Sequence, residues 1–124
     1  MPAYLAVAIG GAFGAVARFG IDRTMERRSF AVFPWSTFVI NMSGCLLIGV
    51  VIAALVDRHH LPGWVRIGLV MGVLGGYTTF STYAQESLGL LREGQAGVAT
   101  LYAAGSVLIG LVAVYAGTLI GRTL

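Results

Sequence analysis

The sequence predicts an all-α membrane protein: four transmembrane helices with a broken third helix, assembled as an antiparallel dual-topology homodimer. Three observations predict this. First, 57% of the 124 residues are hydrophobic and only 10% charged, against about 25% charged in soluble domains. The apolar residues gather into four runs, about Ala3 to Ile21, Pro34 to Val56, Ile67 to Leu91 and Gly97 to Gly121. A crossing takes about 20 residues at about 1.5 Å rise each, so every run is long enough. Nothing remains for a soluble domain, and residues 1–124 read as a single four-helix transmembrane domain. Second, the third run contains a string of polar, aromatic and glycine residues ill suited to a lipid-facing helix. Third, the basic charge is divided almost evenly between the two sides of the bundle.

The first run opens with Met1-Pro2-Ala3-Tyr4, without the positive region that a signal peptide needs. It is expected to be a retained first helix. Gly10, Gly11, Gly14 and Ala15 include a G-x-x-x-G spacing, which lets helix backbones approach closely. Arg18 lies on the same face as Gly14 and Gly11, where two readings stand open. It either snorkels to the interface or sets a cation at the mouth of an anion path. The linker Asp22 to Phe33, with Arg23, Glu26, Arg27 and Arg28, reads as a solvated loop or a short interfacial amphipathic piece.

The second run starts at Pro34-Trp35, proline suiting a first helical turn and tryptophan the interface. Thr37, Asn41 and Gly44 recur at helical spacing and share a face. An amide at this depth must find partners, so Asn41 faces the bundle interior. Either a helix–helix hydrogen bond or an ion path accounts for it. Ser43 lies off that face and bonds its own helix backbone. Cys45 is the only cysteine, so it forms no intrachain disulfide and reads as a small packing residue. The loop Asp57-Arg58-His59-His60-Leu61-Pro62 has no carboxylate or thiol cluster beside its histidines, which favours solvated residues over a metal site.

The third run holds Gly75-Gly76-Tyr77-Thr78-Thr79-Phe80-Ser81-Thr82-Tyr83. Paired glycines weaken a helix, and serine and threonine offer its backbone competing hydrogen bonds. Broken backbone at membrane depth persists only where protein or a water-filled path covers it. The string therefore predicts a helix break facing inward, although the two glycines by themselves also suit close helix packing. Glu86 is the only acidic residue deep enough to matter. The fourth run has no charge from Gly97 to Gly121, but places Tyr102, Ser106 and Gly110 on one face.

All eight basic residues are arginine. Four crossings put Arg58, Arg66 and Arg122 on one side, and Arg23, Arg27, Arg28 and Arg92 on the other, with Arg18 near the latter. A fixed orientation normally shows a clear Lys/Arg excess in cytoplasmic loops. A chain so evenly loaded inserts both ways round, and two opposed copies form an antiparallel dimer with its two-fold axis in the membrane plane.

Thr37 with Asn41-Met42-Ser43-Gly44, and the string from Gly75 to Tyr83, resemble the Fluc (CrcB) fluoride channels. The likeness extends over all four helices, including Gly10-Gly11, Gly14-Ala15 and Arg18. The resemblance implies a dual-topology antiparallel homodimer in the cell inner (plasma) membrane, multi-pass, with two fluoride pores. It implies a central structural sodium ion (Na+) held by backbone carbonyls, by motif position those of Gly75 and Thr78. The pore aromatics would be Phe80 and Tyr83, the pore amide Asn41, and the polar track Tyr102 and Ser106, with Arg18 at the vestibule. Two departures stand out: Tyr83 occupies a position commonly held by a second phenylalanine, and Gly110 one where a further serine is often found.

The chemistry of these residues agrees. Fluoride is small and tightly hydrated, so a pore must replace lost water with convergent donors. Asn41, the hydroxyls of Thr37, Ser81, Thr82 and Ser106, and that of Tyr102 are of the right kind. Aromatic rings carry a positive edge, so Phe80 and Tyr83 meet an anion without a full charge. A lysine or arginine in mid-pore would hold the ion too tightly, since conduction needs weak, multiple sites. The implied partners are the fluoride ion, the lipid bilayer and a second copy of the chain, with no nucleic acid. The alternative is a small dual-topology multidrug or cation exchanger, which relies on an acidic residue in helix 1; here none precedes Asp22. An enzyme is not expected, because no Ser/His or metal-ligand pair lies at membrane depth.

Overall fold

The computed structural model describes residues 1–26, 31–58 and 61–124, without the side chains of 56–58. The readings of Arg27, Arg28, His59 and His60 lie outside the described residues. Helix α1 spans Ala3–Glu26, and α2 spans Trp35–Val51, continued by wider π-type turns over Ile52–Arg58. Helix α3 covers residues 63–77 in three parts: Gly63–Ile67, π-type turns over Gly68–Leu74, and Gly75–Tyr77. Helices α4, Phe80–Arg92, and α5, Ala96–Thr123, complete the chain.

Among the described residues three helices are long and apolar enough to cross a membrane: Ala3–Glu26, Trp35–Leu55 and Ala96–Thr123. The expected fourth crossing is interrupted, because α3 and α4 are separated by Thr78 and Thr79. Neither part reaches the about 20 residues of a full crossing. The surface is of the same character. Phe13 and Val16 are 70% exposed, and Leu111 and Val112 66%. Apolar surface of this extent is foreign to soluble monomers and suits contact with lipid or with another chain.

Two pairings organise the bundle, α1 against α3 and α2 against α5. The first depends on glycine. A Cβ on Gly14 would stand 2.1 Å from the Val73 carbonyl oxygen, and one on Gly76 would stand 2.6 Å from that of Gly11. No side chain fits there, so the two backbones touch directly. At the α1–α2 end Ser36 Oγ donates to Asp22 Oδ1. Gly94, with φ 75°, makes the tight turn from α4 into α5, a conformation glycine adopts without strain.

Two expectations need correction. The first helix does not stop near Ile21 but runs on to Glu26, so the start of the expected Asp22–Phe33 linker is helical. The third helical run begins at Gly63 rather than Ile67, with Pro62 ahead of its first turn. The expected break is present within the string, and it lies past the glycines. Gly75 and Gly76 are helical, and the chain becomes extended only at Thr78 (φ −82°, ψ 160°) and Thr79 (φ −149°, ψ 115°). Gly76 serves the contact with α1. The threonines suit the break because β-branched side chains favour extended backbone, and threonine is a good residue ahead of a helix N-terminus.

Candidate functional site

The break is held in shape by side chains that take over backbone hydrogen bonds. The Asn41 amide pairs with Thr79 as another peptide would: Thr79 N–H donates to Oδ1, and Nδ2 donates to the Thr79 carbonyl, both at 2.9 Å. Thr79 Oγ1 accepts from the Thr82 N–H at 3.3 Å and donates to Thr82 Oγ1 at 3.0 Å. In a continuous helix Thr79 N–H would serve the Gly75 carbonyl, and Thr82 N–H the Thr78 carbonyl. Both donors go elsewhere, which releases those two carbonyl oxygens. Thr78 closes α3 by donating both its N–H and its Oγ1 to the Leu74 carbonyl at 3.0 Å.

Opposite charges develop across the gap. The end of α3 presents carbonyls and a partial negative charge, whereas α4 presents N–H groups and a partial positive charge of about half a unit. The break thus offers oxygen ligands to a cation on one side and donors to an anion on the other. Gly44 makes room for it: a Cβ there would stand 2.2 Å from Thr78 Cγ2. Ser43 Oγ donates to Ile40 O at 3.0 Å, as expected from its position, and also hydrogen-bonds Tyr77 Oη at 2.7 Å.

A cavity of about 470 Å³ opens beside the break. Asn41, Gly75, Thr78, Phe80, Tyr83 and Ser106 are among its lining residues, so most of the expected site residues come together. Phe80 is 78% exposed, and its ring lies 5.5 Å from that of Tyr83. Tyr83 in turn lies 5.3 Å from Tyr102, and Tyr102 lies 5.3 Å edge-on to Phe33. These four rings form a continuous file leading away from the break. The Tyr83 hydroxyl donates to the Ala103 carbonyl at 2.8 Å. The extra oxygen that tyrosine carries here is therefore tied to α5. Tyr83→Phe is expected to keep ion flux while lowering stability by about 1 kcal/mol for the lost hydrogen bond, as thermal unfolding in detergent would report.

Thr37 and Tyr102 lie farther along the file, around a residue that was not among the expected site residues. Thr37 Oγ1 donates to Glu86 Oε1 at 2.8 Å, and Tyr102 Oη donates to Glu86 Oε2 at 2.7 Å. Thr37 is 2% exposed and Tyr102 is fully buried. Glu86 was visible in the sequence as the one deep carboxylate, three residues past Tyr83. Its partners were not, because they come from α2 and α5. Hydrogen bonds to a charged group contribute about 1.5–3 kcal/mol each. Glu86→Ala leaves two buried hydroxyls without an acceptor and is expected to destabilise the fold by about 3 kcal/mol, measured by thermal unfolding. Glu86→Gln keeps one acceptor and is expected to lose about half as much.

Ser81, Thr82 and Arg18 do not line the cavity, whereas Ser106 does. Ser106 is buried in the cavity wall, and its hydroxyl has no hydrogen-bond partner among the described residues. Thr82 is half-buried at the first turn of α4, and Ser81 beside it is exposed. Arg18 is half-buried on α1 and does not line the cavity.

Comparison with known proteins covers nearly the whole chain. The family model described as CrcB-like protein, Camphor Resistance (CrcB), matches residues 5–118. A Thermus thermophilus protein named fluoride-specific ion channel FluC is 42% identical over 124 residues, covering 100% of this chain and 98% of its own. One of the same name from Chloroflexus aurantiacus is 45% identical over 118 residues, covering 95% and 94%. One from Acidobacterium capsulatum is 42% identical over 121 residues, covering 96% and 95%. These relatives are ion channels by name, not enzymes. With a helical bundle interrupted at Thr78–Thr79 and a likeness that runs through it from end to end, the chain belongs to the CrcB family.

Proposed function

We propose that this chain forms a passive fluoride-selective channel that exports fluoride across the cell inner membrane. Each chain contributes one four-helix domain to an antiparallel homodimer with two pores. The observation that carries the reading is the break at Thr78–Thr79, braced by Asn41 and opening on a cavity with the Phe80 and Tyr83 rings in its wall. Water stripped from fluoride is replaced there by amide, hydroxyl and backbone donors and by ring edges. Arg18 acts at the vestibule, raising the local anion concentration without binding tightly. The names of the relatives support the choice of fluoride.

What a single chain leaves open supports the dimer. Phe80 stands largely exposed at the cavity rim, and a pore drawn from one copy alone would lack its outer wall. A second copy in the opposite orientation supplies it. The carbonyls of Gly75 and Thr78, released from helical pairing, suit a hard cation such as sodium on the two-fold axis. They would hold it structurally, pinning the two breaks together, while the anion moves along the rings. Accessibility labelling of a C-terminal tag should find both orientations in one membrane. A single orientation contradicts the antiparallel dimer.

Export itself is read in cells without fluoride exporters of their own. When loaded with fluoride, cells expressing this chain should retain less of it than cells expressing Phe80→Ile. Equal retention contradicts the channel reading.

A further inference from the structure

The buried face of α5 that carries Tyr102 and Ser106 continues one turn on to Gly110, which has no side chain to offer. The space beside Gly110 is filled from α2. Cys45 Sγ lies 3.4 Å, and Met42 Cε 3.5 Å, from where a Cβ on Gly110 would sit. Cys45 and Ser106 line the same cavity. Ser106 is 9% exposed, and among the described residues its hydroxyl is the buried side-chain group without a hydrogen-bond partner. A buried hydroxyl in a cavity wall is satisfied by what enters the cavity, either water or a small hydrated anion.

We propose that the Cys45 thiol is the next element of this hydrated wall beyond Ser106, replacing from α2 the side chain that Gly110 lacks, and that covalent modification of it closes the path. The second half of this proposal rests on the channel reading; the first half does not. The thiol is a weak donor at a level of the wall where α5 supplies none, so Cys45 sets how well the path hydrates there. A packing residue sealed from water would behave differently.

The thiolate is the reactive form, and it forms only where water reaches the sulfur. Cys45 is the chain's single cysteine, so modification is unambiguous. The probe is methyl methanethiosulfonate acting on the full-length protein in liposomes. The Cys45 thiolate attacks the sulfenyl sulfur of the reagent, and a new S–S bond forms to the methylthio group. The reagent's own S–S bond breaks, methanesulfinate leaves with the electron pair, and the thiol proton passes to buffer. Dithiothreitol reverses the modification by thiol–disulfide exchange, restoring the Cys45 thiol and releasing methanethiol while it is itself oxidised to its cyclic disulfide.

Intact mass should show one methylthio adduct per chain on the folded protein. Fluoride efflux should fall at least about tenfold, because an added apolar group dewets a narrow path, and dithiothreitol should restore it. Cys45→Ser should take no adduct, ignore the reagent and conduct about twofold faster than the parent, because a hydroxyl is the stronger donor. Absence of the adduct on folded protein that reacts once denatured overturns the hydrated wall. Complete modification with unchanged efflux overturns the closure. Protein that carries no fluoride before treatment contradicts the channel reading instead, and adduct formation then still decides for or against the hydrated wall.

Discussion

Phe80→Ile is expected to bring fluoride efflux down to the leak of protein-free liposomes while the protein stays folded. Phe80 is 78% exposed in the chain and has its ring contact with Tyr83 at 5.5 Å. Its replacement therefore sacrifices only about 1 kcal/mol of ring–ring contact. Isoleucine has similar bulk but no positive edge, and an anion that has shed its water gains nothing from it. Efflux measured beside size-exclusion profiles separates the two effects. Parental flux with a normal profile would place the conducting path elsewhere.

Asn41→Asp is expected to abolish flux as completely, for two reasons that act together. A carboxylate fixed beside the path repels an anion strongly where the dielectric constant is low. The substitution also removes the Nδ2 donor, which leaves the Thr79 carbonyl facing another acceptor and costs about 1–3 kcal/mol. The break then loses half of its brace. Parental efflux through Asn41→Asp would mean that neither the charge nor the brace matters to conduction.

Much of this arrangement was legible in the residues. The shared face of Thr37, Asn41 and Gly44 is real: each meets a polar partner or clears space for one on the neighbouring segment. A break within the string from Gly75 to Tyr83 was implied by competing hydroxyls. Its position was not, because glycine signals both weak helix and close packing. Only the neighbour decides between them, and here Gly11 claims Gly76. For Asn41 a helix–helix bond and an ion path both stand open in the sequence; its partner is neither helix but the extended backbone of Thr79, at the cavity wall.

Two features were beyond reach. The π-type turns over Gly68–Leu74 and Ile52–Arg58 depend on tertiary contact and leave no periodic mark. The Glu86 cluster joins residues from three helices, with Thr37 49 positions and Tyr102 16 positions away from it. A single chain's pattern carries no information about such pairings. The Tyr83 hydroxyl is a further case: its acceptor is a backbone carbonyl of α5, which no side-chain pattern announces.

As a fluoride-selective channel, the chain should pass fluoride and reject chloride, its larger neighbour. Purified protein reconstituted into liposomes loaded with potassium fluoride or potassium chloride, with a potassium ionophore to carry the counter-charge, tests it directly. Ion-selective electrodes should record rapid fluoride efflux and chloride efflux no faster than from protein-free liposomes. Equal efflux of the two anions, or none of either, would contradict the account.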